Sequence, residues 1–133
     1  MHSPSTTLAM NIISTDTAPR PAGHYSQGVV HNGLVFVAGQ LPHDPANPDA
    51  PAGDIEHQTE RALRNVEAVL KAAGSGLDRV LSVTIYVTDI AMWPRVNATF
   101  AHVMGDHRPA RAVVPVPNLN RGYRIEIQAI AAV

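Results

Sequence analysis

The sequence of 133 residues contains no cysteine. This absence excludes a disulfide framework, a thiolate nucleophile and every cysteine-ligated zinc or iron–sulfur site. Charged residues are also scarce, at 16% of the chain, against about a quarter in ordinary domains. The low charge density indicates that other subunits cover part of the surface. The net charge of −1 argues against nucleic acid or an anionic membrane as the main partner, because both attract a basic excess.

Long hydrophobic runs are absent as well. No apolar run approaches the ~18–20 residues that span a bilayer. Residues 1–9 lack the basic and apolar regions of a signal peptide. We therefore expect a soluble, cytoplasmic protein without a membrane partner, made of a flexible tail over residues 1–9 and one domain over residues 10–133. The sequence leaves open whether Met1 or Met10 is the native start.

Two apolar segments around Asn32-Gly33 predict a β-hairpin over residues 25–31 and 34–39, because Asn-Gly favours the tight turn that joins antiparallel strands. Every residue from Leu34 to Val37 is apolar, so we expect this strand to be buried on both faces. Residues 10–13 predict a further, shorter strand that opens the domain.

A proline-rich segment and a helix follow the hairpin. Prolines at every third position between Pro42 and Pro51 predict an extended surface loop. Asp54 is suited to cap a helix N-terminus, and Gly74 to end the same helix. The helix is predicted from apolar residues at helical spacing, namely Ile55, Ala62, Leu63, Val66, Val69, Leu70 and Ala73.

The second half of the chain predicts three strands and another helix. Residues 81–88 alternate between apolar and polar side chains, with Leu81 in the set that should face the core. Strands are also predicted at residues 112–116 and 123–133. Pro94 fits the first turn of a helix between them. The buried stripe of that helix is predicted to be Trp93, Val96, Phe100 and Val103.

The order of these elements predicts an α+β fold, in which two helices cover one face of a mixed sheet. The second face carries threonine, tyrosine, arginine, glutamate and glutamine beside aliphatic residues. That mixture is too polar for a core and too apolar for a plain solvated face. An interface between subunits with polar pockets would explain it.

An arginine-rich segment is the sharpest candidate for chemistry. No acidic residue lies between His107 and Ile125, which hold four arginines: Arg108, Arg111, Arg121 and Arg124. Arg111 stands at the start of a strand, where its planar guanidinium can hold a substrate carboxylate through two parallel hydrogen bonds. The alternative is a solvated arginine pair at a strand end. Glu126, the one acid of the last strand, is interpreted as an ion-pair partner of an arginine.

Metal and nucleophilic chemistry have little support in the sequence. The seven histidines include no HxxxH, HExxH or His-X-His pair, so we predict no metal. Gly74-Ser75-Gly76 follows a helix rather than a strand and is interpreted as a helix end and turn, not as a phosphate loop. No GxSxG motif is present. We predict no cofactor.

Several short motifs stand in order along the chain: GHYSQG at 23–28, VAGQLP at 37–42, NVEAVL at 65–70, VTD at 87–89, VNATF at 96–100, RPAR at 108–111 and RIEIQAIA at 124–131. Their order and spacing over residues 10–133 are similar to the RidA (YjgF-type) enamine/imine deaminase family. The resemblance implies a chorismate-mutase-like α+β fold. It also implies a homotrimer whose sheets form a central barrel, with active sites in the clefts between subunits.

The resemblance further implies a reaction and the residues that serve it. Water attacks a reactive 2-enamino or 2-imino acid, such as 2-aminoacrylate, to give a 2-keto acid and ammonia. Arg111 matches the arginine that binds the substrate carboxylate, and Tyr25 matches a substrate-contacting tyrosine assigned to catalysis. Asn97 and the Gly39-Gln40 turn match further pocket positions.

The chain departs from the family pattern at four positions. Ala38 stands where deaminating members commonly have serine, and Val113 where they often have cysteine; both positions are implied to line the substrate pocket. His24 replaces a frequent proline. Gln128 stands where the resemblance puts a water-activating glutamate, so Gln128 is assigned to hold the water. An amide can orient water but cannot accept its proton near neutral pH.

Two functions therefore stay open. The first is hydrolysis of a small 2-imino or 2-enamino acid, with the carboxylate on Arg111 and the water on Gln128; His24 would be a substitute base if it points inward. The alternative is a non-hydrolytic protein that binds a small carboxylate, as an accessory in a biosynthetic pathway. A ribonuclease activity has also been attached to the family; it ranks lowest here, since the charge and the few aromatics are poorly suited to RNA.

Overall fold

A computed structural model describes residues 9–133, so all but the last residue of the predicted tail lies outside the described residues. The described residues form six strands and two α-helices. In order they are β1 (Asn11–Ile13), β2 (Gly28–His31), β3 (Leu34–Gln40), α1 (Ile55–Ala72), β4 (Val80–Val87), α2 (Trp93–Met104), β5 (Ala110–Pro115) and β6 (Ile125–Ala132). Within the described residues, no helix is long and apolar enough to cross a membrane.

The strands form one mixed sheet in the order β1-β2-β3-β6-β4-β5. All neighbours are antiparallel except β4 and β5, which are parallel because α2 connects them as a crossover. Helix α1 packs on β3, β6 and α2, so both helices lie on the same face of the sheet. The predicted α+β architecture with two helices on one face is therefore confirmed.

Local signals place the hairpin and the first helix where the sequence predicts them. Asn32 and Gly33 both take positive φ angles, 51° and 76°, as the tight turn between β2 and β3 requires. The Asp54 side chain accepts a hydrogen bond from the backbone N–H of His57 at 2.8 Å. Gly74, at φ 81°, follows the helix end in the left-handed conformation that favours glycine. The segment from Pro42 to Pro51 forms neither helix nor strand.

The expectation that β3 is buried on both faces is wrong for the isolated chain. Val35 and Val37 face the helices and are buried, whereas Phe36 points to the opposite face and is 43% exposed. The cause is that both helices cover the same side of the sheet. The same uncovered face, which we call the open face, also carries Val114 and the Tyr86–Gln128 pair, whose hydroxyl-to-amide hydrogen bond is 2.8 Å.

The predicted core position of Leu81 is also wrong. The pairing between β4 and β6 shifts register between Val80 and Ser82. The extra residue of such a bulge shifts by one position which side chains of the strand face the core. Val80 therefore lies in the core at 2% exposure, while Leu81 is 50% exposed. From Val83 onwards the predicted alternation holds.

A buried asparagine in α1 anchors the loop that follows β3. Asn65 is fully buried, and its Nδ2 donates to the carbonyls of Leu41 at 2.9 Å and His43 at 2.8 Å. Its Oδ1 accepts from Nη2 of Arg61 at 2.9 Å. The polar side chain is tolerated in the core because all of its hydrogen-bonding groups have partners.

We expect Asn65→Ala to lower the free energy of unfolding by about 1–3 kcal/mol, because it leaves two carbonyls without their donors. Urea denaturation followed by circular dichroism measures the loss. Asn118→Ala, at an exposed loop position, is the matched control and should change stability by less than about 0.5 kcal/mol. Equal effects of the two substitutions would contradict the anchoring role.

Candidate active site in two halves

Arg111 lies in β5 and is held by the helix beside it. Its Nη1 donates to Oδ1 of Asn97 in α2 at 3.0 Å. The guanidinium lies 4.5 Å from the ring centroid of Trp93 and 5.0 Å from that of Phe100, within the range of cation–π attraction. Burial lowers the pKa of Arg111 from its usual high value. These contacts favour a positioned arginine over the alternative of a solvated strand-end pair.

The cleft around Arg111 is suited to an anion. His107, Arg108 and Arg111 contribute to its wall, with Asn97 and the apolar side chains of Phe100 and Met104. Only one N–H group of Arg111 is used by a protein acceptor among the described residues. The remaining N–H groups can therefore take a carboxylate in the two-bond geometry that arginine favours.

A second cavity, of about 520 Å³, opens between the loop before β2, the end of β3 and the start of β6. Tyr25, Gly39 and Glu126 all lie on its wall. A Cβ atom at Gly39 would stand 2.8 Å from Oε2 of Glu126. Only glycine can therefore occupy position 39 without displacing that carboxylate. The volume is within the usual range for small-molecule sites, about 300–1,000 Å³.

Buried Gln27 holds the loop that carries Tyr25. Its Oε1 accepts from the backbone N–H of Thr15 at 2.7 Å, and its Nε2 donates to the carbonyl of Pro19 at 2.9 Å. Tyr25 itself is 52% exposed, and its hydroxyl accepts from the N–H of Ala22 at 3.2 Å. The tyrosine is thus positioned through its loop and lies on the cavity wall.

Glu126 is the site residue that sequence reasoning missed. The sequence predicts an ion pair with an arginine for Glu126, but within residues 9–133 it makes none. Burial raises the pKa of its carboxyl group. A partly buried carboxyl with a raised pKa in a cavity is typical of a group that transfers protons. The signal that could have found it is Gly39, because a glycine within a strand often marks a close approach of another group.

Gln128 does not line this cavity. Its Oε1 accepts the hydrogen bond from Tyr86 on the open face. Glu126 and Gln128 point to the same side of β6, but two strand positions separate their side chains by roughly 7 Å. The assignment of the water-holding role to Gln128 stays a prediction, and Glu126 is the side chain that accompanies Tyr25 and Gly39.

The remaining predicted positions have mostly structural contacts. Ala38 donates its N–H to the carbonyl of Gln27 at 2.9 Å and lines neither cavity. Val113 packs against the core. His24 is exposed and lies outside both cavities, so the idea of an inward base at this position has no geometric support. Within residues 9–133, no group of three His, Asp or Glu side chains is placed to hold a metal ion.

Four predicted site residues and Glu126 thus fall into two groups at different places on the sheet. Arg111 and Asn97 lie at edge strand β5. Tyr25, Gly39 and Glu126 lie beyond β4, around the ends of β3 and β6. Neither cavity contains members of both groups. One chain therefore holds the Arg111 cleft and, separately, the Glu126 cavity.

Comparison with known proteins identifies the family. A family model described as Endoribonuclease L-PSP matches residues 15–133, which include every residue of both halves. The chain belongs to the RidA family. RutC family proteins, Rid proteins and the YjgF gene product are among the relatives and solved structures similar to it.

Several RidA-family relatives match nearly end to end. A RutC family protein of Pyrococcus abyssi is 39% identical over 124 residues, covering 93% of this chain and 98% of its own length. Protein DfrA of Myxococcus xanthus is 41% identical, covering 93% and 96% respectively. The crystal structure of the Rid protein YyfA from Yersinia pestis superposes with a TM-score of 0.89 at 38% identity, covering 94% of this chain and 100% of that one.

One further RidA-family structure was solved with a small molecule. Escherichia coli TdcF with bound serine superposes with a TM-score of 0.87 at 32% identity, covering 92% of this chain and 98% of that one. These matches agree with the mixed α+β sheet with two helices described above.

Proposed function

We propose that this protein hydrolyses a 2-imino or 2-enamino acid to a 2-keto acid and ammonia, in sites formed between the subunits of a homotrimer. The observation that carries the proposal is the division of the site. An arginine with unused N–H groups and an acid with a raised pKa lie at separate places of one chain. An assembly that joins the β5 edge of one subunit to the Glu126 cavity of another would complete the site.

The open face supports such an assembly. Phe36, Val114 and Ile130 place apolar surface there, and the chain as a whole has little charge. An exposed apolar sheet face of this kind is typical of a subunit interface. The serine bound to TdcF, a small amino acid with a carboxylate, is a ligand of the chemical class that Arg111 is suited to bind.

The chemistry follows from the two halves. Arg111 holds the substrate carboxylate and fixes C2 near Glu126. Water adds to C2 of the protonated imine: the O–C2 bond forms, the C=N electron pair moves to nitrogen, and Glu126 accepts a proton from the water. Glu126 then returns that proton to the amine nitrogen of the resulting carbinolamine. The C–N bond breaks and ammonia leaves, while the C2=O bond of the keto acid forms and the hydroxyl proton passes to Glu126, which releases it to solvent. An enamine first gains a proton from solvent at C3 and becomes the protonated imine.

The non-hydrolytic alternative rested on the absence of a base at Gln128. Glu126 removes this reason, because it supplies a carboxylate in the cavity that contains Tyr25. The alternative is nevertheless a distinct outcome of the test: a protein that binds small keto acids but does not accelerate their formation from imines would be a carboxylate-binding protein.

Release of keto acid from freshly generated 2-aminoacrylate tests the reaction. A pyridoxal-phosphate-dependent dehydratase supplies the substrate, and keto-acid formation is followed with and without the protein. We expect faster release with wild type, and the same rate with Arg124→Ala, whose side chain lies outside both cavities. Release no faster than in the protein-free control would rule out hydrolysis of this substrate.

The mass in solution tests the assembly separately. We expect light scattering coupled to gel filtration to give three times the 14.2 kDa of the chain. A monomer would leave Arg111 without access to Glu126 and would contradict the shared site.

A further inference from the structure

Three polar side chains form a cluster on the wall of the Glu126 cavity: His43, Arg121 and Tyr123. Nη1 of Arg121 lies 3.1 Å from Nδ1 of His43, and the hydroxyl of Tyr123 lies 3.4 Å from the same nitrogen. A guanidinium can only donate hydrogen bonds. Nδ1 of His43 is therefore the acceptor in its contact with Arg121.

Helix α1 fixes the two segments that carry this cluster. Asn65 binds the carbonyl of His43, and Oε1 of the buried Gln58 accepts from the backbone N–H of Arg124 at 2.9 Å. Arg121 itself has φ 62°, a left-handed conformation that is unfavourable for a residue with a side chain. Backbone strain of this kind clusters at active sites and ligand-binding sites.

Arg121 is a cation without an ion-pair partner in this cavity. Arg20, also on the cavity wall, pairs with Asp16 at 3.0 Å. Within residues 9–133, by contrast, no carboxylate lies within ion-pair distance of Arg121. Among the residues that the structure describes, the one polar contact of its guanidinium is to Nδ1 of His43. The guanidinium is thus oriented by His43 while its charge is left available to a ligand.

We propose that Arg121 binds a second carboxylate, carried on the substrate side chain, so that the preferred substrates are 2-imino acids with an acidic side chain. This inference rests on the proposed function: Arg111 holds the carboxylate next to C2, and Glu126 acts at C2. The cavity of about 520 Å³ is far larger than a methyl side chain requires. His43 is a positioning residue, which holds the guanidinium of Arg121.

The affinities of two product analogues test the proposal. Isothermal titration calorimetry is carried out with 2-oxoglutarate and with 2-oxopentanoate, which have the same chain length and differ in the second carboxylate. We expect wild type to bind 2-oxoglutarate about tenfold more tightly, the scale of a charge-assisted hydrogen bond at a partly exposed site. Arg121→Gln should bring the ratio of the two affinities close to one.

Two further variants separate a specific effect from a general one. Arg124→Gln removes a nearby arginine that does not line the cavity and should retain the tenfold ratio. His43→Leu keeps the arginine but removes its acceptor, and should give an intermediate ratio.

Equal affinity of wild type for the two acids would overturn the proposal. So would an equal loss of both affinities in Arg121→Gln, because Arg121 would then hold the carboxylate that both ligands share. Failure of the proposed function looks different. In that case neither 2-iminoglutarate nor 2-iminopentanoate, each generated by an amino-acid oxidase, is hydrolysed faster than without protein, while the tenfold binding ratio persists.

Discussion

Arg111→Ala is expected to lower kcat/KM for an imino acid by about 10²–10³-fold, the largest effect on substrate binding of any single substitution in this chain. The substitution removes a guanidinium whose free N–H groups would bind the substrate carboxylate, and loss of one partner of a charged pair in a binding site costs about 2–5 kcal/mol. Steady-state kinetics gives the ratio of kcat/KM, and calorimetry with a 2-keto acid gives the loss of affinity.

Arg111→Lys provides a matched comparison. Lysine keeps the charge but has no planar fork for a carboxylate, and it stacks less well on Trp93 and Phe100. We expect it to recover only part of the activity, whereas Arg124→Ala should behave like wild type. Thermal unfolding of each variant separates loss of binding from loss of fold. An Arg111→Ala protein that is folded and fully active would contradict the assignment of Arg111 as the residue that binds the substrate carboxylate.

The parts of the fold that sequence predicted correctly depend on local interactions. The Asn32-Gly33 turn requires positive φ angles that these two residues tolerate. Asp54 caps α1 through a backbone group three residues away. Such features are complete within a few residues, so the sequence pattern alone identifies them.

The errors arise where distant strands meet. Leu81 is exposed because β4 shifts register against β6, and Phe36 is exposed because no helix covers its face. Neither cause can be predicted from the local alternation of apolar and polar residues.

The site residues, like the fold, divide into those that local sequence predicts and those that depend on distant contacts. The RPAR motif predicts Arg111 as a site residue, and the VNATF motif predicts its partner Asn97. The local sequence cannot predict whether Glu126 or Gln128 lines the cavity, because strand alternation points both side chains to the same side of β6. The pairing between β3 and β6 is irregular between Val37 and Gln40, and within this stretch Gly39 lies against the carboxylate of Glu126. A contact between strands that are far apart in sequence therefore decides which residue faces the cavity.

Glu126→Gln is expected to lower kcat by about 10²–10⁴-fold, the usual contribution of a general acid–base group. The amide has nearly the same shape, so it preserves contacts with Gly39 but cannot accept a proton from water. The variant should be at least as stable as wild type. Burial disfavours the charged form of Glu126 and so raises its pKa, and the neutral amide does not carry this cost. Single-turnover kinetics and urea denaturation measure the two quantities.

Gln128→Ala is the comparison that decides between the two assignments. If Gln128 holds the water, its loss should reduce kcat as much as Glu126→Gln does. If Glu126 is the base, Gln128→Ala should keep kcat within a few-fold of wild type, since Gln128 contacts Tyr86 on the open face. A large effect at Gln128 together with a small effect at Glu126 would restore the original assignment.

The pH dependence gives an independent test of Glu126. A general base must be ionised, so kcat/KM should fall as the pH is lowered through the pKa of its carboxyl group. Because burial raises that pKa, the fall should begin at a higher pH than for an ordinary glutamate. The glutamine of Glu126→Gln does not titrate, so this acid limb should be absent from its profile. An identical limb in both proteins would assign it to the substrate imine or to another group, and Glu126 would then not be the base.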